Sequence, residues 1–157
     1  MSYFQPIDKE EQLILLLALH ILEKLGNHRI KKIQALRFIR ARGLADFHDG
    51  DFEPRSNGED KWMNDFSWAR EDAKERGFLS MPDIGIWRLT DAGRNKLTEL
   101  AEHWKELWER DASSMEAFLA RCRRINECTF SHMLAIASGI DVKRAPGMPV
   151  RLETTAC

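Results

Sequence analysis

The chain has 157 residues, with 24 Lys+Arg against 25 Asp+Glu and a net charge of -1. With 43% hydrophobic and 31% charged residues, it is too apolar and too evenly charged to be a disordered chain, and it is long enough for one domain of ordinary size. The balance excludes a strongly basic nucleic-acid binder, so any such role must rest on local charge placement and motif.

Cysteine usage is sparse and odd in number: Cys122, Cys128 and Cys157. That is no disulfide framework and fits a reduced, cytoplasmic setting. Residues 1–11 carry acids and no basic stretch, unlike a signal peptide. The apolar run from Leu13 to Leu19 is broken by His20 and followed by Glu23 and Lys24. It falls short of the roughly 20 apolar residues that span a bilayer. No membrane association is expected.

In chain order, residues 6–25 predict a first helix, apolar nearly all round and therefore buried on more than one side. Pro6 and Asp8 suit its start, and Gly26-Asn27 its end. Residues 30–42 predict a second helix with an apolar stripe of Ile30, Ile33, Leu36 and Ile39. Its other face, with the residue before it, holds Arg29, Lys31, Lys32, Arg37, Arg40 and Arg42. Residues 45–60 form an acidic loop with turn chemistry at Gly50, Pro54, Ser56, Asn57 and Gly58. A third helix over residues 61–76 has Trp62, Phe66, Ala69 and Ala73 on its inner face. Two short strands, 78–81 and 86–89, flank a hairpin loop at Pro82–Gly85. Thr90 is placed to cap a fourth helix that runs to Arg110. Its Leu97, Leu100, Trp104 and Leu107 form a short heptad-like seam. A further helix carries the stripe Met115, Phe118, Leu119, Cys122 and Ile125, and a last piece covers residues 130–137. Residues 139–157, with Pro146, Gly147 and Pro149, read as a flexible tail.

The fold class is therefore mainly α with a small β-hairpin: a winged helix-turn-helix plus additional C-terminal helices. The expected division is 1–96 for the winged-helix domain with its N-terminal helix, 97–138 for a helical extension suited to dimerisation, and 139–157 for the tail.

The stretch from Trp62 to Gly93 resembles the N-terminal winged-helix domain of Mrr-type modified-DNA restriction endonucleases. The matching residues are Trp62, Asn64, Trp68-Ala69-Arg70, Gly77-Phe78-Leu79, the wing turn Pro82-Asp83-Ile84-Gly85, and Ile86-Trp87-Arg88-Leu89-Thr90-Asp91-Ala92-Gly93. Ser56-Asn57-Gly58 resembles the family's Ser-Gly before the helix, and a looser likeness extends back to about Ile30. Two positions depart from the pattern. Asp65 stands where the family usually has a basic residue, and Ala73 replaces a larger aliphatic. The resemblance implies a winged helix that binds double-stranded DNA through its third helix. No nuclease domain follows in this sequence. Glu59-Asp60-Lys61, with Asp49 and Asp51 upstream, has the letters of a nuclease metal site. It lies in a polar loop entering a helix, so no catalytic residue is assigned.

The candidate DNA contacts follow from donor chemistry. On the third helix Lys61, Asn64, Ser67, Arg70 and Lys74 recur three or four apart, away from the inner face. Asn64 suits adenine, and Arg70 guanine or phosphate. Arg88 on the wing suits a phosphate or the minor groove, or else pairs with Asp83. Arg29, Lys31 and Lys32 form the densest basic patch, near a helix N-terminus that favours phosphate. Trp68 and Trp87 are read as core side chains rather than base-stacking platforms. Cys122, Cys128 and His132, even with His103, lack the tight four-ligand spacing of structural zinc. No cofactor or metal is expected.

These observations favour a non-enzymatic DNA-binding protein, a regulator or a reader in a restriction or phage-defence setting. The over-apolar first helix and the Leu97–Leu107 seam suggest a homodimer. The alternative is a protein-interaction module or inhibitor that uses the acidic loop and acidic third helix. A metal-dependent enzyme is the third reading.

Overall fold

The computed structural model describes residues 9–139. Six helices surround a small antiparallel sheet. Helix α1, Glu10–Lys24, is the hub. Every residue from Gln12 to Leu19 is buried, as are Ile21 and Leu22. The all-round apolar pattern has its cause here: α2, α3, α4, α6 and a strand all pack on this helix. The expected start at Pro6 lies outside the described residues.

The second predicted helix begins later than its apolar stripe suggests. Ile30–Lys31 is a strand, β1, and α2 spans Lys32–Ala41. A loop with one short 3-10 turn at Asp49–Phe52 leads to α3, Lys61–Glu75. Strands β2, Leu79–Ser80, and β3, Ile86–Leu89, form the wing. The sheet therefore has three strands in the order β1-β3-β2, with Ile30 opposite Trp87 and Leu79 opposite Leu89. This order of helices and strands is a winged helix.

Thr90 caps α4, Asp91–Arg110, accepting from the Gly93 N–H at 3.0 Å and donating to the Gly77 carbonyl at 2.5 Å. One cap thus ties the helix to the wing's root. Gly93 is buried where the chain passes Phe78. A β-carbon there would lie 2.2 Å from the Phe78 carbonyl oxygen, so only glycine fits.

The remaining helices are α5, Ala112–Arg121, and α6, Glu127–Ser138. Helix α6 starts three residues earlier than the sequence suggests, because Asn126 and Thr129 form a capping box. Both helices fold back onto α4. Leu97, Leu100, Trp104 and Leu107 are buried, with Trp104 edge-on to Phe118 at 5.6 Å and Trp108 to Phe130 at 5.3 Å. The seam that suggested a homodimer is thus covered within the chain, and so is α1. The winged helix and the C-terminal helices share one hydrophobic cluster. Apart from Gly139, the predicted tail lies outside the described residues. No helix among the described residues is long and apolar enough to cross a membrane.

Candidate nucleic-acid interface

The third helix buries Trp62, Phe66, Ala69 and Ala73, as its period requires. Turned away from that stripe are Asn64, Ser67, Trp68, Glu71, Lys74 and Glu75. Trp68 is 62% exposed, against the core position expected for it. Its Cα lies well round the helix from the buried stripe, and Ala69 takes the inward place instead. Trp87, from β3, is core as expected at 3% exposure.

The candidate cations fall into two groups. Four are held by acids. Arg29 pairs with Asp83 of the wing loop at 2.8 Å, taking the partner expected for Arg88. Lys32 pairs with Glu59 at 2.6 Å, Lys61 with Asp65 at 2.8 Å, and Arg70 with Glu71 at 3.2 Å. Arg70 also lies over the Trp87 ring at 5.3 Å, which turns it toward the wing strand. Arg94, outside the predicted set, bridges Glu23 and Asp91. Lys31, Lys74 and Arg88 are exposed and make no ion pair among the described residues. Ser67 donates its hydroxyl to the Met63 carbonyl at 2.9 Å, leaving its oxygen able to accept. Two cations passed over by the sequence reading stand beside the third helix. Arg37 and Arg40 of α2 line a groove with Ile33, Asp60, Trp62 and Met63. Their place on the outer face of α2 was visible, but not that α3 would lie alongside.

The acidic loop has an internal use. Asp51 is fully buried, and so is Arg124, which lies between α5 and α6. The guanidinium of Arg124 donates to both Asp51 oxygens at 2.9 and 3.2 Å and to Asp65 at 3.1 Å. It also donates to Glu11 at 2.5 Å and to the Asp46 carbonyl at 3.1 Å. Phe47 and Phe66 rings lie within 5.9 Å of it. Glu10 accepts the backbone N–H groups of Arg123, Arg124 and Ile125. Burial pushes the Asp51 carboxyl up, but Arg124, the His48 N–H and Arg123 outweigh it and hold it below the ordinary range. Asp65 therefore balances a buried arginine, which accounts for an acid on the third helix.

This arrangement removes Asp51 from any metal site, since its oxygens are already committed to arginine. Among the described residues no cluster of three or more His, Cys, Asp or Glu is placed to hold a metal. Burial, then Glu10, pushes the Cys122 thiol up to about 12. A thiol so far from ionising is a poor nucleophile or metal ligand. His132 is buried and its pKa falls to about 4, through desolvation first and then Arg42 and His20. It is a neutral core residue.

Residues 12–99 match the family profile described as the Mrr N-terminal domain. The chain belongs to this family. The matched region starts in α1 and ends inside α4, so α5 and α6, with Arg124 between them, lie beyond it. The Mrr N-terminal domain is not the catalytic nuclease domain of restriction enzymes. No curated protein and no solved structure matches the chain significantly.

Proposed function

We propose that this Mrr N-terminal domain protein binds double-stranded DNA without catalysing a reaction, as a transcriptional regulator or as a reader in a restriction or phage-defence system. The observation that carries the reading is the composition of the outward face of α3. Asn64, Ser67 and Glu71 are short polar or acidic groups of the kind that meet base edges, and Trp68 offers an apolar surface to a thymine methyl. Phosphate contact then falls to cations around the helix rather than on it: Lys31, Lys74 and Arg88, with Arg29, Lys32, Lys61 and Arg70 released from their acids on binding. Partial pairing of this kind lowers affinity for DNA of any sequence and leaves base readout a larger share of specificity.

The reading explains how a chain of net charge -1 can meet DNA. Part of its acid is committed within the fold: Asp51, Glu11 and Asp65 pair with Arg124, and Glu59, Glu71 and Asp83 pair with nearby cations. Both faces that suggested a homodimer are covered, so a single reading head per chain is the simplest form of the proposal. A gel shift tests it: a mixed duplex pool should be retarded in about 50 mM salt and released by about 200 mM. No shift at about 10 µM protein in the lower salt contradicts it.

A second reading, a protein-binding module or inhibitor with an acidic winged-helix surface, draws on exposed Trp68 beside Glu71 and Glu75. A pull-down that recovers a protein partner and a gel shift that fails would favour it.

A further inference from the structure

The groove between α2 and α3 has two features that point to the same ligand chemistry. Arg37 and Arg40 line it and make no ion pair among the described residues, although Asp60 shares the groove. Arg40 instead lies over the Phe52 ring at 4.6 Å, which fixes its position without neutralising it. The groove also contains the start of α3. Asp60 occupies the N-cap position but its side chain caps no backbone N–H. Uncapped N–H groups and the helix dipole favour an anion at that end. Trp62 is a buried wall of the groove. Its ring packs edge-on against Phe47 at 5.1 Å, so its resonances report on this wall of the groove.

We infer that this groove seats a phosphodiester of the DNA backbone, held by Arg37 and Arg40 at the start of the reading helix. The inference rests on the DNA-binding reading and names a contact which that reading does not need. Two arginine charges outnumber the single Asp60 carboxylate, so an anion gains on entering. The apolar walls, Ile33 and Met63, suit the sugar edge of a strand rather than a free hydrated ion. A phosphate here would fix the register of α3 in the groove through its first turn.

The test is a salt titration of DNA binding by the full chain and by Arg37→Gln/Arg40→Gln, with Arg37→Lys/Arg40→Lys as the charge-retaining partner. Each phosphate contact contributes about 0.9 to the slope of log affinity against log salt. The Gln pair should flatten the slope by about 0.9, the share of the one phosphate seated there, and the Lys pair should keep it. Between about 50 and 200 mM salt, wild type should lose about three- to fourfold more affinity than the Gln pair. Circular dichroism melts identify any variant that fails to fold. An unchanged slope in a folded Gln pair overturns the inference and leaves the DNA-binding reading intact. Absence of DNA binding by wild type overturns both. The Trp62 indole N–H resonance separates the sources of phosphate. It should move on adding duplex. If inorganic phosphate moves it and duplex does not, the seat belongs to a free anion and the inference fails.

Discussion

Replacing Arg124 with alanine should be the most damaging single change outside the apolar core. Asp51 is fully buried and Arg124 is its principal counter-charge. Removing the arginine strands that carboxylate and leaves the Asp46 carbonyl without its guanidinium donor. Breaking a buried pair from one side costs about 3–5 kcal/mol. A chain of this size loses about 2–4 °C of Tm per kcal/mol, so Tm should fall by roughly 10 °C. The pH dependence adds a sharper sign. In wild type the folded pKa of Asp51 lies below its ordinary value. Its contribution to stability is therefore present above the unfolded pKa, near ~3.9, and lost as pH falls through the folded value. In the variant the His48 N–H and Arg123 still lower the folded pKa, but without Arg124 burial is less opposed, so the carboxyl protonates more readily on acidification than in wild type and part of the strain is relieved. The deficit between wild type and variant should shrink from pH 7 to about pH 4. Urea unfolding at both pH values measures it, and Asp51→Asn on the variant background should restore part of the loss. A deficit below about 1 kcal/mol at pH 7 would mean that Arg124 behaves as an exposed ion pair, and the reasoning would fail.

Three further outcomes follow from the same structure. Gly93→Ala, ordinarily a gain of about 1 kcal/mol in a helix, should destabilise by about 1–3 kcal/mol because its β-carbon meets the Phe78 carbonyl and Leu89; a thermal melt with unchanged or raised Tm would contradict this. The folded pKa of His132, about 4, lies below its unfolded value near ~6.5, so its contribution is full above pH ~6.5 and is lost as pH falls toward about 4. His132→Gln should flatten the stability curve across that window, and an unaltered curve would place the pH sensitivity elsewhere. Asn64→Ala should leave the salt slope of DNA binding in place while reducing discrimination between duplexes by about 1–3 kcal/mol, checked by competition binding.

The winged helix was legible in the sequence where one period dominates. Trp62, Phe66, Ala69 and Ala73 define the inner face of α3 without ambiguity, and Thr90 marks the start of α4 through its hydroxyl. Strand β1 was not legible, because two residues hold no alternation and Ile30 fits a helical stripe equally well. Trp68 was misplaced because an aromatic residue beside an apolar stripe reads as part of it until the neighbouring elements are known. The α4 seam carries the same pattern whether a second copy or the chain's own α5 and α6 cover it. Arg124 left no periodic signal at all. Its partners lie as far as 114 residues away in sequence, and single acids in a loop look like solvent-facing charge. For the same reason the acidic loop suggested a partner surface, whereas its buried acid serves the fold.

The central claim is that this reading head engages DNA through a few unneutralised cations placed around a polar recognition helix. A titration of duplex binding against salt, on modified and unmodified DNA of the same sequence, tests it most directly. Around the third helix Lys31, Lys74 and Arg88 make no ion pair among the described residues, and Arg37 and Arg40 share one phosphate, so about four phosphate contacts set an expected slope of about -3.6. A linear loss of affinity with that slope would support the account. No binding in about 50 mM salt, or an affinity indifferent to salt, would contradict it.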